Sequence, residues 1–108
     1  MSAALQSLQD QYILLTNNLP RLLAACHGDT KEEDAINTQY ATADGNYHDC
    51  VNKIFHDNDA NVQTVVAQMK EEQTALKAAL KDLSAMAAVI TVITTAVQVG
   101  KGLASLAA

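Results

Sequence analysis

Aromatic residues and helix breakers are nearly missing from this chain: it has no tryptophan, one phenylalanine, three tyrosines, one proline and four glycines in 108 residues. Without large aromatic anchors, burial has to come from many small contacts, mostly of Ala, Leu, Val and Ile. With so few turn formers, and with helix formers such as Ala, Leu, Gln, Lys and Glu throughout, the composition excludes a sheet-rich fold and points to an all-α protein. Basic residues are also scarce, seven against twelve acidic, for a net charge of −5. A chain that acidic lacks the footprint that a phosphate backbone requires, so nucleic acid is excluded as a partner. The two cysteines, Cys26 and Cys50, are too few for a disulfide framework and too far apart for a CxxC redox site; they read as small buried side chains that do not bridge. The stretch MSAALQSLQDQ has neither a basic leader nor a continuous apolar run. No secretory signal is visible in it, which makes the cytoplasm the default compartment and membrane association or non-classical secretion the alternative.

Charge is absent in one further place. From Leu83 to Val99 the sequence LSAMAAVITVITTAVQV carries no ionisable side chain. At helical spacing Ser84, Thr91, Thr95 and Gln98, continued by Gly102 and Ser105, fall on one stripe, and Leu83, Met86, Ile90, Ile93 and Val97 on the other side. Adjacent pairs such as Val89-Ile90 break the strict alternation of a strand. The stretch is therefore a helix with an apolar seam, and what covers that seam is the functional question: the same chain, another chain or lipid.

Three helical segments, the last of which contains this stretch, account for the chain. Leu5, Leu8, Tyr12, Leu15, Leu19, Leu22 and Cys26 recur at spacings of three and four, predicting a first helix over about 3–27, kinked or restarted at Pro20. It ends at His27-Gly28, where glycine suits the left-handed turn of a helix C-terminus. Thr30 and Glu33 match a capping box, and Ile36, Tyr40, Ala43, Tyr47, Cys50 or Val51, and Ile54 with Phe55 carry a second helix over about 31–56. The short turn makes these two an antiparallel hairpin, in which Cys50 should face Gln9. The Asx-rich cluster His56 to Asn61 marks the next turn. Beyond it Val62, Met69, Leu76, Leu83, Ile90, Val97 and Ala104 repeat every seven residues, predicting one continuous third helix over about 61–99, about 58 Å long, with a ragged tail from Gly100. The expected fold is thus a single all-α domain of residues 1–108: a helical hairpin plus a long third helix, a three-helix bundle completed by oligomerisation.

Constellations for chemistry are weak. Asp57, Asp59 and Asn61 imitate the start of a calcium loop, but Val62 stands where the sharp turn needs Gly and Gln68 where the bidentate Glu belongs. His48, Cys50 and His56 lack the spacing of a helical zinc site, and neither Cys26-His27 nor His48-Asp49-Cys50 places thiol and imidazole face to face. There is no Gly-rich phosphate loop and no nucleophile elbow. No catalytic residue, metal ligand or cofactor is expected. Lys70, Lys77 and Lys81 line one helical face ahead of the uncharged stretch, either as a solvated face or as a positive rim to an interface. The function that follows is a non-enzymatic interaction or structural module, associating with a second copy or a helical protein partner through Leu83, Met86, Ile90, Ile93 and Val97. The alternative is a membrane-active protein, such as a pore component, whose 83–100 stretch enters or spans a bilayer.

Overall fold

The computed structural model describes residues 1–108. It contains four α-helices and no strand: α1 (Ala3–Ala25), α2 (Thr30–His48), α3 (Ala60–Ala79) and α4 (Met86–Ala104). Side-chain caps start the first three. Ser2 accepts from the Leu5 N–H, Asp29 from the N–H groups of Lys31 and Glu32, and Asp59 from those of Asn61 and Val62; each satisfies donors that a helix start leaves open. The cap of α2 is therefore Asp29, with Thr30 already helical. Pro20 sits within an uninterrupted α1. That helix ends on two consecutive left-handed residues, His27 (φ 49°) and Gly28 (φ 82°), which turn the chain back into α2.

Two expectations are corrected. The second helix stops at His48, well short of 56, because Cys50 and Phe55 turn inward as core residues. The connection is also held by a reciprocal backbone pair between Ile54 and Ala108, at 3.0 and 2.9 Å. The long third helix is two helices. It breaks between Leu80 and Ala85, where Asp82 Oδ1 accepts from the Ser84 N–H at 3.0 Å in an Asx turn. Leu80 and Met86, on either side of the break, are buried. Folding back covers the apolar seam within the chain, which a straight helix of that length would leave bare.

The helices alternate in direction. α1 lies between α2 and α3, α4 lies between α3 and α2, and α2 and α3 do not touch. The connection from α2 to α3 thus crosses the end of a bundle measuring 44 × 22 × 18 Å. Inside are two apolar clusters. The larger, with Leu15, Leu22, Ile36, Leu76 and Ile93, fills the half near the α1–α2 and α3–α4 turns. The smaller, with Leu8, Phe55, Val62, Met69 and Leu103, fills the opposite half.

Candidate interaction surfaces

α4 is built into the centre of this arrangement, in contact with all three other helices. Its buried stripe is Met86, Val89, Ile93, Ala96, Val97, Gly100 and Leu103, displaced from the heptad Leu83, Ile90, Val97 by part of a turn. Of the five residues expected at an intermolecular seam, Met86, Ile93 and Val97 are at most 6% exposed and belong to the larger cluster. Leu83 and Ile90 are half-buried at its edge. The seam is thus covered by the rest of its own chain. Gly100, expected in a ragged tail, lies inside the helix and is buried.

Gly100 marks a polar layer between the two clusters. Gln11 of α1, 1% exposed, donates from Nε2 to the Ala96 carbonyl at 2.9 Å. The Asn46 amide of α2 is satisfied at both ends when it donates to the Thr42 carbonyl (3.3 Å) and accepts from the Lys101 N–H (3.1 Å). Both side chains need the α4 backbone bare: a Cβ on residue 100 would stand 2.8 Å from Gln11 Oε1 and 3.2 Å from the Asn46 amide. Burying paired amides in an apolar bundle adds little net stability but penalises every other register, since a slipped helix would leave them unpaired.

The outward stripe of α4 is the one expected from sequence: Thr91, Thr95, Gln98, Gly102 and, beyond the helix end, Ser105 are exposed, as are Ala87 and Ala88. Beside it runs an open groove of about 720 Å³ between α3 and α4. Its walls are Asn61, Thr64, Val65 and Gln68 on one side and Thr94, Thr95, Gln98, Val99 and Gly102 on the other, with Leu106 at one end. None of these residues is charged. Lys70, Lys77 and Lys81 are exposed and make no ion pair.

A second surface lies across α1 and α2. Tyr12 stacks between Tyr40 (ring centroids 5.8 Å apart) and Tyr47 (5.9 Å), and the His48 ring meets Tyr12 and Tyr47 edge-on at 5.0 and 4.8 Å. Gln9 Nε2 donates to the Tyr47 hydroxyl at 3.0 Å, and Thr16 and Tyr40 share a hydroxyl hydrogen bond of 3.0 Å. The Tyr40 hydroxyl pushes Tyr12 above the ordinary phenol range, which the Thr16 hydroxyl partly offsets. His48 pairs with Asp44 one turn earlier, both side chains about half exposed. Sequence periodicity places all three tyrosines on inner faces and misses their meeting. The hairpin register was the available signal, but Tyr47, not Cys50, faces Gln9.

No three His, Cys, Asp or Glu side chains converge as a metal ion would need. Cys26 and Cys50 are free, buried and in different clusters, and burial pushes both thiols upward in pKa, away from the nucleophilic thiolate. Set beside models of protein families, characterised proteins and solved structures, the chain matches none.

Proposed function

We propose that this chain is a non-enzymatic helical interaction module that self-associates through the groove between α3 and α4. The observation that carries the reading is the absence of charge from all ten lining residues of a protein whose net charge is −5. Two acidic copies repel one another wherever their acidic faces meet, and an uncharged face is where they approach without burying an unpaired ion. Thr and Gln side chains supply hydrogen bonds, while Val65, Val99 and Leu106 supply apolar contact. The small residues of the outer stripe, Ala87, Ala88 and Gly102, let helices come close. Of the residues expected at the seam, only the half-buried Leu83 and Ile90 remain within reach of a neighbour. Sedimentation velocity across a concentration series tests this. Association is expected for the native chain, and Thr95→Glu, which puts a carboxylate in the groove, should abolish it while Thr95→Ser leaves it intact. A native chain that stays monomeric at every concentration overturns the reading.

One observation favours a second reading. α4 has 19 residues and is long and apolar enough, by length and composition alone, to cross a membrane; its only charge is Lys101. Because its outward stripe is uncharged too, α4 can leave the bundle for a bilayer with its one cation, Lys101 in the last turn, held at the headgroups. Flotation of the protein with liposomes, lost on Thr95→Glu but not on removal of an exposed lysine such as Lys77→Gln, would favour this reading over assembly in water.

A further inference from the structure

The net charge is not spread over the molecule. Asp29, Glu32, Glu33, Asp34, Asp44 and Asp49 face a single cation, Lys31, between residues 29 and 50; the rest of the chain has equal numbers of acidic and basic residues. α2 with its caps therefore holds the whole of the −5. That same helix supplies Tyr40 and Tyr47, and α1 adds Tyr12 and Gln9. On α2, Glu33, Tyr40, Asp44 and Tyr47 recur at helical spacing and share one side. Asp44 lies close enough to raise the Tyr12 hydroxyl further. The rings are half-buried and fixed before any partner arrives, by mutual stacking and by the hydrogen bonds from Gln9 and Thr16. Preorganised tyrosines of this kind contribute contact area at low entropic cost. Exposed apolar side chains flank them in sequence: Ile13 (45% exposed) follows Tyr12 and Val51 (44%) lies one turn beyond Tyr47.

We propose that this tyrosine and carboxylate face of the α1–α2 hairpin docks an arginine-bearing segment of a partner protein, independently of the α3–α4 groove. The guanidinium group matches both halves of the surface. Its plane stacks on an aromatic ring, and its fork of N–H groups binds a carboxylate such as Glu33, or Asp44 in exchange for its His48 partner, with two hydrogen bonds. An ammonium group matches only the charge, because it is a compact and strongly hydrated ion without a face to stack.

The difference between the two cations is the test. A short arginine-rich peptide and a lysine-rich peptide of the same length and charge are titrated into the full chain. With no tryptophan present, emission excited at wavelengths longer than phenylalanine absorbs comes from Tyr12, Tyr40 and Tyr47 alone, so tyrosine fluorescence reads the surface directly. The arginine peptide is expected to bind about tenfold more tightly and to change the emission. The double substitution Glu33→Gln, Asp44→Asn should weaken it about tenfold. The control Glu71→Gln, Glu72→Gln removes the same charge from α3 and should change binding less than about twofold. Circular dichroism of each variant establishes that the helices are retained. Absence of binding, equal affinity for the two peptides, or equal weakening by the two charge-matched doubles overturns the proposal, the last two by reducing the effect to net charge.

Discussion

At the scale of single residues, Gly100 is where a small change should have the largest effect. Alanine is the better helix former by about 1 kcal/mol, yet its Cβ would stand 2.8 Å from Gln11 Oε1. Gln11 is 1% exposed and tied to the Ala96 carbonyl, so it can yield only by breaking that hydrogen bond in a closed interior. Gly100→Ala should therefore lower stability by about 1–3 kcal/mol in urea denaturation. In a Gln11→Ala background the same change should cost much less, or stabilise, because the clash is gone and the propensity gain remains. Additive effects of the two substitutions would mean that the glutamine is not what keeps position 100 bare. None of this was legible in the sequence. A glycine after a long apolar run looks like a helix end, and Gln11, at helical spacing between Leu8 and Leu15, is passed over for the neighbouring Tyr12 when the stripe is drawn through apolar residues alone. The residues that hold the layer come from three helices far apart in the chain, so no local window contains it.

Among the elements, starts were easier to read than ends. The hairpin turn at His27-Gly28 and the Asx cluster ahead of α3 carry their own chemistry, left-handed backbone in one and carboxylate caps in the other. Both are where sequence put them, and α1, α2 and α3 begin within a residue or two of expectation. The break between α3 and α4 has no glycine and no proline, and the heptad passes through it in register. No residue from Leu80 to Ala85 forbids a helix, and Ala85, the N-cap of α4, offers no side-chain cap. Only burial of the seam and the Asp82 turn oppose one long helix. Hydrogen bonds from the Ser84 hydroxyl and N–H hold the Asp82 carboxyl below the usual carboxylate range. Since the folded value is the lower one, this contribution is present above the ordinary carboxylate pKa and is lost as pH falls through the depressed value. Replacing Asp82 and Ser84 together with alanine should remove that pH dependence. In the Thr95→Glu background, where groove association is removed, it should also shift concentrated samples toward a dimer with exchanged α4 helices, detectable by sedimentation. A strictly monomeric double variant with unchanged stability would show that burial alone sets the break.

On the scale of the whole molecule, no Lys or Arg takes part in an ion pair; the single pair is His48 with Asp44. Cohesion thus rests on apolar burial and on the amide layer, and the charged surface is left to partners. The layer has a further consequence in time. It divides the interior into clusters of twelve and eight buried residues, and the smaller one is closed by an irregular connection and the Ile54–Ala108 backbone pair. Such a partition favours partial opening, in which one end of the bundle loosens while the other holds. Native-state hydrogen exchange in low denaturant should therefore resolve two tiers of amide protection. Amides around Val62, Met69 and Leu103 should exchange through the smaller opening, and those around Leu76 and Ile93 only through global unfolding. Uniform protection across all four helices would mean that the amide layer joins the two halves into one cooperative unit.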